Sequence, residues 1–134
     1  MTGRDINFRP IIVVNVARII ELDLKEETFY EVAGYFFTYV LENCMLEGQV
    51  ETWITIVDLG KIGMFSLGGT IIDIISFLSR NFRCRLHYSY LINCPSSIKF
   101  LFGMAKKAMT EDQINKIHLQ EEPELPRKAF ANIF

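Results

Sequence analysis

The strongest constraint on the fold lies between Leu86 and Gln120, where a strand pattern, a sharp stop and an almost wholly apolar helix pattern follow one another. Leu86-His87-Tyr88-Ser89-Tyr90-Leu91-Ile92 is rich in aromatic and β-branched residues, which suit a pleated strand. Asn93-Cys94-Pro95-Ser96-Ser97 stops it, because the proline has no N–H to give and holds Cys94 extended. Ser96 or Ser97 then caps a helix predicted over Ile98–Met109. On a helical wheel Ile98, Leu101, Phe102, Met104, Ala105, Ala108 and Met109 share one face. Phe100 widens that face to roughly 200°, about twice the stripe that a core-facing surface helix needs. Lys99, Lys106 and Lys107 take the remaining arc. A helix of this kind has to hide apolar surface on more than one side, or cover something apolar. Thr110-Glu111-Asp112-Gln113 opens another helix, and Lys116-Ile117-His118-Leu119 reads as a short strand.

Upstream, strand and helix patterns alternate. Arg9-Pro10 introduces Ile11-Ile-Val-Val-Asn-Val16, an unalternating apolar run suited to a strand covered on both faces. The end of that strand is not marked, since Ala17–Leu22 continues apolar. Asp23-Leu-Lys-Glu26 has the form of a capping box, and a helix is expected from there to about Glu47, with Gly48 as its stop. Phe29, Val32, Ala33, Phe36, Phe37, Val40, Leu41, Cys44 and Met45 recur at helical spacing. Gly34 inside this helix costs about 1 kcal/mol relative to alanine, so something should pack close against it. Glu51–Leu59 is the next strand, and Gly60-Lys61-Ile62-Gly63 the turn after it, with Asp58 receiving N–H bonds from that turn. The glycines match neither a dinucleotide fingerprint nor a phosphate loop. Ser66–Thr70 opens a helix over about Ile71–Arg80, apolar around more than half its circumference. The final stretch, Gln120–Pro126, is too rich in proline and glutamate for a core element, and Arg127–Phe134 is short and amphipathic. Strands alternating with helices favour an α/β fold, a mostly parallel or mixed sheet with right-handed crossovers and helices on its faces.

Composition narrows the function classes. The 134 residues suffice for one domain, half of them are hydrophobic and eleven are phenylalanine, which suggests a large apolar interior or cavity. A net charge of −2 provides no global field for nucleic acid, so Arg80, Arg83 and Arg85 with Phe82 and Tyr88 do not suffice for a nucleic-acid site. The first ten residues have no apolar core of a signal peptide, and no apolar run reaches the roughly 18 residues of a membrane span. Cys44, Cys84 and Cys94 stand at no metal-ligand spacing and read as reduced thiols of a cytoplasmic protein. His87 and His118 both fall in strand patterns without a nucleophile elbow, so neither catalytic nor metal residues are expected.

Four motifs in order resemble the CRAL-TRIO lipid-binding family, the domain of yeast-type phosphatidylinositol-transfer proteins. Gly3-Arg-Asp-Ile-Asn-Phe-Arg-Pro10 before Ile11-Ile-Val-Val resembles the family's Gly-Arg-Pro entry to its first strand. Trp53-Ile-Thr-Ile-Val-Asp-Leu59 with Gly60 resembles its central strand, ending in Asp-x-x-Gly. Tyr90-Leu-Ile-Asn-Cys-Pro95 resembles its Ile-Asn-x-Pro strand end, and Gln113-Ile-Asn-Lys-Ile117 its entry to the next strand. The resemblance implies a single CRAL-TRIO-like domain over 1–134, without the helical lobe that usually precedes the first strand or the usual C-terminal end. One helix pair would cover the closed face of the sheet, and the 96–109 helix would gate a lipid slot on the other.

The implied function is binding, and intermembrane transfer or presentation, of a hydrophobic lipid such as phosphatidylinositol. Lys116 and Lys106 would meet the head group, and Phe100, Leu101, Phe102, Met104 and Ala105 would line the slot or form the gate. No enzyme activity, metal or cofactor is implied beyond a bound lipid. The protein would be cytoplasmic and transiently membrane-associated, and an apolar patch left by missing flanks would drive homodimerisation. Two departures bear on inositol specificity. Phe82-Arg83-Cys84-Arg85 stands where relatives have a Tyr-Pro-Glu-Arg-like stretch, and Lys107 replaces a proline of the gate. The alternative is a protein-interaction or scaffolding module of the same fold, of the kind that regulates small GTPases.

Overall fold

Among the described residues five strands lie side by side in chain order: β1 (Gly3–Arg4), β2 (Pro10–Asn15), β3 (Trp53–Asp58), β4 (Leu86–Ile92) and β5 (Ile117–Leu119). β1 is antiparallel to β2, and every later pairing is parallel. The helices are α1 (Val16–Glu21), α2 (Glu26–Asn43), α3 (Ser96–Ala105) and α4 (Glu111–Asn115), with a 3₁₀ turn at Lys106–Ala108. This computed structural model describes residues 3–60, 77–78, 80–82 and 84–120. The expected Gly60–Gly63 turn beyond Gly60, the start of the 71–80 helix, Arg83 and the 121–134 tail lie outside the described residues.

Register sorts the strand residues into two faces. Ile12, Thr55 and Ser89 form one row, and Val14, Val57 and Leu91 the next row on the same face. Ile11, Ile54 and Tyr88 form a row on the other face, followed there by Val13, Ile56, Tyr90 and His118. Phe37 and Val40 of α2, with Cys44 at its C-cap, pack on the first face with Ile12 and Trp53. Ile98 of α3 packs with Val16 and Leu59, beside Val14, Val57 and Leu91 of that same face. The two helices therefore share a face, which corrects the expectation of a gate helix on the opposite one. The reason is topological. A right-handed crossover that always steps to the next strand in one direction returns its helix to one side.

Local sequence rules account for most boundaries, and the exceptions have clear causes. α1 is a helix where the sequence left the end of the strand unmarked. Asn15 is its cap, with Oδ1 accepting from the Arg18 N–H at 3.0 Å. Asp23 is not a cap. It takes the left-handed conformation (φ 44°) in the tight link between α1 and α2, and α2 starts after Lys25 without a side-chain cap. α2 ends at Cys44, earlier than expected, while Gly48 (φ 70°) serves the small turn that bridges Leu46 to Val50. Gly34 does meet a neighbour, since a methyl there would stand 3.9 Å from the Phe77 ring.

An aromatic cluster locks α2 to the sheet. The Phe37 ring lies 5.1 Å from both Trp53 and Phe82, and Tyr30 stacks on Phe77 at 5.1 Å. Such contacts add about 0.5–1.5 kcal/mol each beyond the area they bury. Between β3 and β4 the interior holds one polar pair, the Thr55 hydroxyl donating to Ser89 Oγ at 2.8 Å, both residues buried. Thr55→Val orphans the serine hydroxyl and is expected to cost about 1–3 kcal/mol. Thr55→Val with Ser89→Ala should cost less than the sum of the two single changes, and urea denaturation of the four proteins in the cycle checks this.

Candidate functional site

The carboxyl ends of the parallel strands are where α/β sheets place ligands, and here they carry a polar knot. Asp58 Oδ1, at the end of β3, accepts from the Gly60 N–H at 2.9 Å and from Asn93 Nδ2 at 2.8 Å. The first of these is the bond expected of Asp58 from the sequence. Leu59 N–H donates to the Ile92 carbonyl at 3.0 Å. Asn93 takes the left-handed conformation (φ 55°), which turns the chain out of β4. The Cys94 thiol then donates to the Leu91 carbonyl at 3.3 Å. Burial raises the pKa of that thiol above its ordinary value. The base of α3 is thus fastened to two strands.

α3 itself starts at Ser96, two residues earlier than its apolar run suggests. Pro95 is its N-cap residue, and Ser96 and Ser97 are helical instead of capping. The restricted φ of proline suits that boundary, so no side-chain cap is needed. The helix presents two apolar sides. Ile98 and Phe102, one turn apart, point inward and are 3% and 6% exposed. Phe100 and Met104, also one turn apart, point outward and are 71% and 57% exposed. Leu101 and Ala105 belong to the same helix.

Lys106 begins the 3₁₀ turn and lies over the Phe102 ring at 5.0 Å. After that turn, Thr110 caps α4 in a reciprocal box with Gln113, as its sequence predicts. Lys116 follows α4 and pairs with Asp112 at 2.8 Å. Among the described residues no hydrogen bond or ion pair joins Lys106 to Lys116. Lys106 stands on the turn after α3 and Lys116 at the entry to β5.

A second group of polar and aromatic side chains gathers beside Lys116, and sequence reading did not single it out as a site. The pairing of Trp53 with Leu86 and of Ile54 with Tyr88 leaves His87 as the extra residue of a bulge. Its ring lies 4.3 Å from that of Tyr88. Tyr88 and Tyr90 flank His118, each at 5.2 Å, with Tyr90 stacked at 23°. Only the pairing register brings these rings together, and a one-residue bulge is invisible in composition. Near His87, Asp5 is buried and accepts from the Asn7 and Arg9 N–H groups and from the Arg9 guanidinium. Partial burial first, and then the positive charge of Arg9, push the His87 pKa below 6.5, with Lys116 adding to this and Asp5 opposing it.

A cleft of about 670 Å³ opens between the β1–β2 link and the α2–β3 link, lined by Ile6, Phe8, Arg9, Leu46 and Val50 among others. It lies at the amino ends of β2 and β3, at the opposite end of the strands from the base of α3. Ile98 of α3 is buried together with Val16 and Leu59 beneath the helix. Among the described residues, no helix is long and apolar enough to cross a membrane, and no cluster of His, Cys, Asp or Glu is suited to a metal.

The sequence profile of the CRAL/TRIO domain matches residues 1–130. The chain belongs to the CRAL/TRIO family. No curated protein matches it in sequence. CRAL/TRIO domains are lipid-binding carriers and generally not enzymes, so membership assigns this chain to hydrophobic-ligand binding at the level of the family. The mixed five-stranded α/β sheet agrees with that assignment.

His87 gives this CRAL/TRIO domain a pH signature. Its folded pKa lies below the unfolded value of 6.5, so the unfolded chain binds more protons as pH falls through that value. The stability associated with neutral His87 is complete above pH 6.5 and is lost progressively below it. His87→Gln is expected to flatten the fall in melting temperature on the acid side of pH 6.5, checked by thermal denaturation from pH 8 to 5.

Proposed function

We propose that this CRAL/TRIO domain binds a phospholipid beneath α3 and exchanges or presents it at a membrane, with α3 as the gate. The observation that carries this reading is the two-sided apolar character of α3. Ile98 and Phe102 seal the fold, whereas Phe100 and Met104 stand in water. Burying an exposed phenylalanine or methionine side chain gains about 1.5–3 kcal/mol. A lysine near an anionic surface adds about 1 kcal/mol, and Lys106 and Lys107 are exposed at the end of this helix. The sum favours reversible contact over permanent anchoring. Lifting α3 would uncover the apolar row Val14, Val57 and Leu91 and open space for an acyl chain, worth about 0.8 kcal/mol per buried methylene.

In this reading Lys116 and Lys106 serve the head group, phosphatidylinositol being the first candidate, and the helix that carries Phe100, Leu101, Phe102, Met104 and Ala105 is the gate. Lys116 is already held near His87 and Asp112, so a phosphate there would have to compete with the Asp112 carboxylate. The second reading, a protein-interaction module with a closed interior, is favoured by the burial of Ile98 of α3 against Val16 and Leu59.

Solvent extraction of the purified protein followed by mass spectrometry separates the two readings. A stoichiometric phospholipid, or uptake of one from vesicles, is expected. A protein that stays empty in both tests is the interaction module. Phe100→Glu with Met104→Glu should reduce binding to anionic vesicles at least tenfold without lowering the melting temperature, and unchanged binding would remove α3 as the membrane contact. Lys116→Ala should weaken capture of phosphoinositide vesicles severalfold in a folded protein, and equal capture would take Lys116 out of the site.

A further inference from the structure

We propose that the outer face of α2 docks a basic amphipathic helix of a partner protein. Phe37 and Val40 turn one side of α2 into the core. Away from them, Val32, Tyr35 and Tyr39 are 56%, 77% and 51% exposed. At 100° per residue these three fall within about 60° of arc, and Glu42, Glu31 and Glu27 occupy the adjoining arc of about 60°. Two stripes therefore run side by side along the helix, one apolar and one acidic. The glutamates are exposed as well. Among the described residues no lysine or arginine pairs with any of them.

The acidic stripe works against the helix that carries it. Glu27 and Glu31 are like charges one turn apart, and they repel. Glu42 stands in the last turn, where the helix dipole disfavours a negative charge and no basic residue offsets it. Glu26–Asn43 contains no lysine or arginine at all. A cation supplied by a partner relieves both conflicts, so charge selects the occupant. An anionic lipid surface is repelled, and a second copy meeting the same face sets glutamate on glutamate. The shape of the partner follows from the stripes. They are straight and run about 22 Å from Glu27 to Glu42 at 1.5 Å per residue, which matches a helix of about four turns. Val32, Tyr35 and Tyr39 have the i, i+3, i+7 spacing by which one helix meets another. A tyrosine offers such a partner an apolar ring and a polar tip. α3 takes no part. The inference therefore does not rest on the lipid reading, and it leaves Phe100 and Met104 open to a membrane.

The test uses the full chain and a fluorescent synthetic helix of about 18 residues, with leucines at i, i+3 and i+7 and lysines beside them. Anisotropy is read at low and high salt. The wild type is expected to bind in the micromolar range, and more weakly at high salt. Glu31→Lys with Glu42→Lys should bind at least tenfold more weakly, and Tyr35→Ala with Tyr39→Ala severalfold more weakly, each with unchanged helix content by circular dichroism. A second peptide with glutamate for lysine should reverse the order, binding the Glu31→Lys, Glu42→Lys variant better than the wild type. Glu21→Lys with Glu47→Lys makes the same change of net charge off the stripe and should bind the lysine peptide as the wild type does. No binding by the wild type, an equal loss in that control, or no reversal with the glutamate peptide overturns the proposal. The Tyr35→Ala, Tyr39→Ala variant should bind anionic vesicles as the wild type does, whether or not α3 is the membrane contact. A loss there would assign the face to the membrane instead. Wild-type dimers in sedimentation velocity that this variant abolishes would assign it to a second copy, and either result overturns the proposal.

Discussion

Every parallel step in the sheet, from β2 to β3 to β4 to β5, moves to the next neighbour in the same direction. With right-handed crossovers this single regularity decides where the helices go. It places α2 and α3 on the face of Ile12, Val14, Thr55, Val57, Ser89 and Leu91. Ile11, Ile56, Tyr88, Tyr90 and His118 lie on the other face, where Ile11 and Ile56 are buried and pack with Tyr90 and Ile92. The two faces differ in chemistry as a result. One is packed by aliphatic and aromatic helix residues, and the other presents rings, a bulged histidine and nearby charges.

The base of α3 and its body have different mechanical characters. The base is tied by Asp58, Asn93 and the Leu91 and Ile92 carbonyls, several short bonds around one turn. The body is held through Ile98 and Phe102, and side-chain packing of this kind can be exchanged for other apolar contacts with little directional cost. A helix fixed at one end by hydrogen bonds and along its length by non-directional packing suits rotation about its base. Asn93 and Pro95 mark where that helix begins.

Much of this was legible in the sequence wherever one local rule acted alone. The β4 strand, the Thr110 cap, the short β5 strand and the Asp58 turn all follow from composition or a capping pattern. The errors came where two rules competed. Asp23 fits a capping box, yet the tight link between α1 and α2 puts it at positive φ. Gly48 fits a helix stop, yet the Leu46–Val50 turn needs it more. Ser96 and Ser97 fit caps, but Pro95 had already set the start of the helix. The shared face of α2 and α3 needed the strand order, a long-range property that no window of residues contains. For the candidate site, the two-sided apolar character of α3 was visible as periodicity. Which side faces water, and the gathering of His87, Tyr88 and His118, were not, because both depend on register.

Among the described residues the sheet is bordered by β1 and β5, only two and three residues long. An edge that short offers an approaching strand few backbone groups to bond, so growth by strand addition has little to start from. A chain with half its residues hydrophobic would otherwise be at risk of stacking sheet on sheet into fibrils. Brief borders leave the helical surface as the place where apolar contact with other molecules can occur reversibly.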